Sequence, residues 1–509
     1  MRSPNSRVYK WLCRQYRLVL LEMRRLMLRL HSVEAILHRH PPRLPLHVEQ
    51  LEPRLMLAAD DPLHLLMGES MGAPNDAVIE VDHRGTADTA DDMLNIVDRV
   101  SQSVWASLPL SDVSHMFVHG NSDDNRLQIA DSVPEWLAVI FVGGDGDDTI
   151  VGPDRDTSWA LTQALPDGPR AAITVFGVES VLGGTGIDTL TGPDVDAFWQ
   201  VTGEGAGRVG SVAFDGFENL VAADGRNDTF MIEDGGSVAG VIEGGGGFDT
   251  IAFDLTALTN GEFRLERVGT TDTYMLEELN GAMESHTFAD PGGAGSVTIN
   301  LADGDNEITL KTLDTLDAAL TIDAGGGDDT FVIEGDGRFS PLLRGGDGGF
   351  DTLILSGGTF QSVVYIATGP DSGTIDRDGD VITYAGLEPI TDTSTVADRV
   401  LSTSNLDDRA TLTDNGSTLT LAPVSPFLTF ESITFSEPTN SLTINLGDDL
   451  GVPFFSKDVL TINSFNVAGV DLIVNGEDGT DEVNVVGAIT ADDVTINAEK
   501  ITVSANINA

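Results

Sequence analysis

From about residue 60 the chain alternates apolar and polar positions over short runs, and Gly/Asp clusters break each run. VTINLADGDNEITL (297–310), LTIDAGGGDDTFVI (320–333) and LIVNGEDGTDEVNV (472–485) share this form. A period of two with β-branched and aromatic residues predicts half-buried strands, and the Gly/Asp clusters predict the turns between them. Residues 1–59 read differently. Leu12, Tyr16, Val19, Met23, Leu26, Leu30, Val33 and Leu37 step by fours and threes, which predicts a basic amphipathic helix with Arg14, Arg17, Arg24, Arg25 and Arg29 on its other faces. Pro41-Pro42 ends that pattern.

Internal repeats set the architecture. GGDGDDTIVGPDRDTSW (143–159) returns forty residues later as GGTGIDTLTGPDVDAFW (183–199), identical at 10 of 17 positions. Their tails FGVESV (176–181) and DGFENL (215–220) also correspond. DTFMIE (228–233) returns as DTFVIE (329–334), and GFDTIAF (247–253) as GFDTLIL (349–355). Asp228 and Asp249 lie 21 apart, and Asp329 and Asp351 lie 22 apart. We read a rung of about twenty residues, with forty as two such steps, each rung too small to bury its own apolar face. The expectation is an all-β chain, a parallel β-helix or solenoid-like repeat array behind an N-terminal basic amphipathic helix. A string of small β-sandwiches is the rival. The expected divisions are a basic helical leader at 1–59, an entry or capping β region at 60–140, a Gly/Asp β-repeat array at 141–395, and further β-repeats at 396–509. VTINAEKITVSANINA ends in mid-pattern, as in a fragment of a longer protein.

Charge narrows the partners. The chain has 28 Lys+Arg against 81 Asp+Glu, a net charge of −53. Residues 1–59 hold 11 basic and 4 acidic groups, so the other 450 residues hold 17 against 77, a net of −60. Such a body repels nucleic acid and attracts cations. The leader is suited to a membrane surface or to docking on export machinery. Cys13 is the single cysteine, so no intrachain disulfide forms.

Two motifs carry resemblances. Leu51-Glu52-Pro53-Arg54-Leu55-Met56-Leu57 resembles the LEPR-XLL motif of large repetitive bacterial proteins, with Met56 where that family has Leu. The resemblance implies export, and so an extracellular or cell-surface location. GGDGDDTIV (143–151), GGTGIDTLT (183–191) and GGGGFDTIA (244–252) fit the nonapeptide G-G-x-G-x-D-x-U-x. AGGGDDTFV (324–332) lacks one glycine, and GGDGGFDTL (345–353) carries an extra residue before its aspartate. These turns resemble the RTX, or haemolysin-type calcium-binding, repeats. The resemblance implies Ca2+ held by hard oxygens, with Asp145, Asp147, Asp148, Asp188, Asp249, Asp328, Asp329 and Asp351 as candidate ligands. Here the turns are isolated rather than consecutive, so a site needs two turns stacked on neighbouring rungs.

The function expected is an exported, structural, adhesin-like protein that meets a host-cell, matrix or glycan surface, and not an enzyme. The alternative is a β-helix polysaccharide lyase or epimerase. That chemistry uses clustered Arg, Lys, His or Tyr, whereas the body spreads 17 basic residues and 5 His over 450 positions. Gly68-Glu69-Ser70-Met71-Gly72 and the G-x-G-x-x-G at 205–210 lack the strand-to-helix setting of an esterase elbow or a dinucleotide loop. Trp159 and Trp199 are expected as core or rung-capping residues rather than as a sugar platform.

Overall fold

The structure, a computed structural model, describes residues 63–509 except 69–72, 86–88, 165–167, 282, 427–428 and 448–456. The described residues fall in one compact unit. The expected leader helix and the motif at 51–57 lie outside the described residues.

The all-β expectation holds. Among the described residues, helix is limited to the 3-10 turns Thr89–Asp91 and Leu110–Asp112. Strands of the described residues build two sheets of 21 strands each and a third of 3. In each large sheet the pairings follow one open, unbranched path. One path runs from Leu63–Leu66 to Lys500–Val503, the other from Ser103–Pro109 to Val494–Asn497. The chain passes from one sheet to the other and back, and each strand then pairs in parallel with the strand of the next pass. We call one such pass a rung. Arg126 pairs with Thr149, Thr229 with Thr250, Glu307 with Thr330 and Thr330 with Thr352, a step of 21 to 23 residues.

Alternation places the core. In Thr330–Glu334 and Thr352–Ser356 every second residue is buried, because successive side chains of a strand point to opposite faces. The inward residues of both sheets join one apolar cluster that extends from Leu63 to Ile489. Each fully buried Val, Leu, Ile or Phe contributes about 1.5–3 kcal/mol. Trp159 and Trp199 are fully buried in it, as expected. Their bulk explains the Gly-Pro that precedes each. A Cβ on Gly152 would stand 2.6 Å from the Trp159 ring, and one on Gly192 would stand 2.5 Å from the Trp199 ring.

Two features depart from a uniform twenty-residue step. First, the repeat copies at 143–159 and 183–199 occupy opposite corners. The strand after the first turn, Thr149–Val151, belongs to one large sheet, and the strand after the second, Asp188–Thr191, belongs to the other. The cause is Ile173–Phe176, which follows Thr157–Thr162 within the same sheet and shifts the phase by half a rung. Forty residues are therefore not two full steps. Second, antiparallel meanders interrupt the stack, as at Phe198–Gly203, Ala206–Val209 and Val212–Asp215. The third strand of that meander pairs back to Ser180–Leu182, and the first pairs forward to Thr229–Ile232. The glycines at 205–210 serve this hairpin.

A polar knot sits inside the apolar core. Arg399 is fully buried and donates to Asp392 at 2.6 Å, to the Tyr365 hydroxyl at 3.0 Å and to the Ser394 carbonyl at 2.9 Å. Its guanidinium lies 5.4 Å from the Phe435 ring centre. Removing one charge strands the other in a low-dielectric interior. We predict that Arg399→Met alone costs about 3–5 kcal/mol in chemical unfolding, and that adding Asp392→Leu recovers most of it. A double variant no more stable than the single one would show that the knot does not act as a charge pair.

Candidate functional site: the aspartate turns

Each Gly/Asp turn closes a corner where the chain crosses between the two large sheets. Close packing dictates its glycines. A Cβ on Gly143 would lie 2.0 Å from the Gly177 carbonyl oxygen and 2.5 Å from Asp148 Oδ2. Gly146 takes φ of +117°, a backbone that L side chains rarely adopt.

The structure splits the eight candidate aspartates into two groups. Asp148, Asp188, Asp249, Asp329 and Asp351 are buried. Asp145, Asp147 and Asp328 face solvent.

The buried group reaches across rungs. Asp148 Oδ1 accepts the Asn125 N–H at 2.7 Å, one rung back. Asp249 Oδ1 accepts the Asp228 N–H at 2.9 Å, Asp329 the Asn306 N–H at 2.7 Å, and Asp351 the Asp329 N–H at 2.9 Å. The Thr157 hydroxyl donates to Asp188. Asp408 and Asp458 continue the series, with the Asp408 N–H 2.6 Å from Asp458 Oδ1.

The residue just before each buried aspartate bonds in the opposite direction. Asp124 Oδ1 accepts the Asp147 N–H at 2.9 Å, and Asp156 accepts the Ile187 N–H at 2.8 Å. Asp196 takes the Asn227 N–H, Asn227 the Phe248 N–H, Asp305 the Asp328 N–H and Asp328 the Phe350 N–H, at 2.8–3.0 Å. Adjacent turns therefore exchange two hydrogen bonds, one inward and one outward. A third acceptor ends some runs. Glu179 takes the Asp148 N–H, Glu218 the Asp188 N–H and Glu499 the Asp481 N–H, at 2.7–2.8 Å. Of these outer acceptors sequence reasoning named only Asp328, as a candidate ligand, and it missed these glutamates. The signal was present in the matching tails GVES (177–180) and GFEN (216–219), where Glu follows a left-handed Gly177 or Gly216.

Burial pushes the Asp148, Asp228 and Asp329 carboxyls up to about 6 and raises Asp188, Asp249, Asp351 and Asp408 in the same direction. Their second oxygens explain the cost. Oδ2 of Asp148, Asp188, Asp228, Asp249 and Asp329 is buried without a hydrogen-bond partner. Asn306 occupies the same column and shows what that position offers. Its Nδ2 donates to the Ala302 and Gly304 carbonyls at 2.7 and 2.8 Å. An amide or a protonated acid can donate there, and a carboxylate cannot.

This geometry bears on calcium. The Oδ1 atoms of the buried aspartates are committed to rung-to-rung bonds, and a Cβ on Gly143, Gly183, Gly244 or Gly345 would stand within 2.8 Å of Oδ2 of Asp148, Asp188, Asp249 or Asp351. Calcium takes six to eight oxygens at 2.3–2.6 Å, and the buried carboxylates do not fit such a shell in this arrangement. Among the described residues no three His, Cys, Asp or Glu side chains form a group that could hold a metal ion. Asp145, Asp147 and Asp328 keep carboxylate oxygens in water. No family model and no curated protein matches the chain.

Asp228→Asn keeps an acceptor for the Ala197 N–H, which Asp228 Oδ1 holds at 2.8 Å, and should cost under about 1 kcal/mol, whereas Asp228→Leu strands that N–H and should cost about 1–3 kcal/mol. Equal losses in urea unfolding would refute the role of the oxygen. The pH dependence has a fixed sign. A folded pKa of about 6 against an ordinary 3.8 means the folded state holds these protons more tightly, so this stabilisation is present in acid and is lost as pH rises through about 6. Glu482, held down to about 2 by hydrogen bonds from Lys457 and Lys500, acts oppositely and loses its contribution as pH falls from 4.5 through about 2. The melting midpoint should therefore peak near pH 4–5 and decline toward about pH 7, less steeply in the Asp148→Asn/Asp228→Asn/Asp329→Asn variant. A midpoint that rises from pH 5 to 7 would contradict this.

Proposed function

We propose that the chain is an exported structural protein of adhesin type, whose described body is a parallel β-solenoid scaffold displayed outside the cell. The observation that carries this reading is the two-way hydrogen-bond exchange between successive turns. It makes each rung depend on its immediate neighbours, which is the logic of a stacked repeat array. It also gives the acidic Gly/Asp vocabulary a mechanical task at every corner where it occurs. Export rests on the LEPR-XLL-like residues at 51–57 and on the basic leader, with a membrane surface or export machinery as the leader's partner. A host-cell, matrix or glycan surface is the partner of the displayed body.

Calcium enters as a counter-ion at the outer edge of the turns. Asp145 and Asp147 sit one rung from Asp123 and Asp124, all four exposed. Divalent ions bridging such carboxylates relieve the repulsion of a body with net charge −60. Affinity at these exposed sites falls in the weak range of extracellular calcium modules, about 10⁻⁴–10⁻³ M.

The test is thermal unfolding of the full chain by circular dichroism, in EGTA and then in calcium. The β signal should persist in EGTA, and the midpoint should rise saturably over millimolar calcium, more than in sodium chloride of equal ionic strength. Asp145→Asn/Asp147→Asn should reduce that rise, and Asp228→Asn should leave it intact. Loss of the β signal in EGTA would place calcium inside the folding core and overturn the counter-ion role. No response to calcium would remove the ion from the account.

A further inference from the structure

A cleft of about 380 Å³ opens at a corner that carries none of the aspartate turns. Three stretches of chain build it. Glu204, at the tip of the hairpin after Phe198–Gly203, bridges in parallel to Ser237. Glu233 and Asp234 leave the strand Thr229–Ile232 and lead through Gly235 and Gly236 to Ser237. Leu255 and Leu258 floor the cleft from the next rung, and Met283, Glu284 and His286 close it.

Its polar side chains offer acceptors. Glu204, Glu233, Asp234 and Glu284 supply carboxylates, and no Lys or Arg lines the cleft. The Ser237 hydroxyl already donates to Glu284 at 3.3 Å, and the Gln200 amide donates to Glu233 at 3.0 Å. His286 adds a buried ring to these carboxylates. It is 1% exposed, packs 5.4 Å from the Phe253 ring centre, and its Nδ1 has no hydrogen-bond partner. Burial pushes its pKa down to about 4, so the imidazole is neutral, and in its Nε2–H tautomer Nδ1 carries a free lone pair.

Acidic rim, neutral buried acceptor and apolar floor together describe one class of ligand. We propose that this cleft binds a primary ammonium on an unbranched apolar stem, as carried by a lysine side chain or an alkylamine. The ammonium has three donors and no acceptor, which complements Glu233, Glu284 and His286 Nδ1. The methylenes lie on Leu255, Leu258 and Met283. A bare divalent ion fits less well, because no three of the cleft's His, Asp and Glu side chains form a group that could hold a metal ion. This site is independent of the solenoid and calcium reading and stands or falls alone.

The experiment follows the ring nitrogens of ¹⁵N-histidine-labelled full chain by NMR, with His286→Gln used to assign the His286 signals. Titration with n-pentylamine should shift the His286 signals saturably. n-Pentanol, which shares the stem without the charge, and calcium chloride should leave them in place. Glu233→Gln/Glu284→Gln, altered only at the rim and checked for an unchanged melting midpoint, should weaken amine binding at least about tenfold, a change of about 1.4 kcal/mol. Nα-acetyl-lysine methylamide distinguishes the sources. Binding as tight as pentylamine assigns the cleft to a protein lysine, and binding of pentylamine alone assigns it to a free amine. Both results support the site. Absence of a His286 shift with either amine overturns it. So does an equal shift with pentanol, which marks a merely apolar hole, or with calcium, which marks a metal site. Undiminished binding in the rim variant overturns it as well, because the attraction is then that of the whole acidic body.

Discussion

A backbone N–H donated to a carboxylate one rung away is the bond on which the rest of this structure depends. The apolar core supplies most of the stabilisation, but burial is non-directional and does not choose one register over another. At each corner the backbone leaves a strand, and its N–H groups lose their ladder partners. A buried N–H without a partner costs about 1–3 kcal/mol. Asp148, Asp249, Asp329 and Asp351 meet that need from inside, and Asp124, Asp156, Asp305 and Asp328 meet it from outside. Because the two bonds run in opposite directions, a slip of one residue breaks both. The turns thus hold the register in which every second side chain faces inward.

This arrangement carries an electrostatic cost. Each inner carboxylate has one oxygen in a bond and, at Asp148, Asp188, Asp228, Asp249 and Asp329, one oxygen buried without a partner. Burial then favours the proton, which is why these groups titrate above ordinary aspartates. Asn125 and Asn306 fill the same column without charge. Glutamates at 179, 218 and 499 supply the acceptor where the neighbouring rung presents no aspartate there. The solvent-facing carboxylates add repulsion, which the proposed counter-ions would relieve at the rim without touching the inner column.

Much of this was legible in the sequence. Period-two runs located the strands, and the spacings Asp228 to Asp249 and Asp329 to Asp351 matched the parallel register. Trp159 and Trp199 are fully buried in the core. Two things were not legible. The forty-residue repeat looked like two rungs, yet Ile173–Phe176 remains in the sheet of the preceding strand and moves the second copy to the opposite corner. Nothing in a period-two pattern says which sheet a strand joins. The division of the aspartates was also hidden. Asp147 and Asp148 are the same residue type in adjacent places of one turn, before the strand Thr149–Val151, yet one faces water and the other lies in the stack. Glu179 and Glu218 were visible as matching tails, but their task depends on a residue some thirty positions earlier.

Amide hydrogen exchange of the full chain in EGTA tests the central claim most directly. The turn amides of Asn125, Ala197, Asp228, Asn306, Asp329 and Asp408 are the donors to the inner column. The account predicts that they exchange as slowly as the strand amides beside them, at the limit set by global unfolding, without calcium. Rapid exchange at these amides in EGTA, with protection only after calcium is added, would contradict it, because the ion and not the carboxylate-to-amide bond would then hold the rungs together.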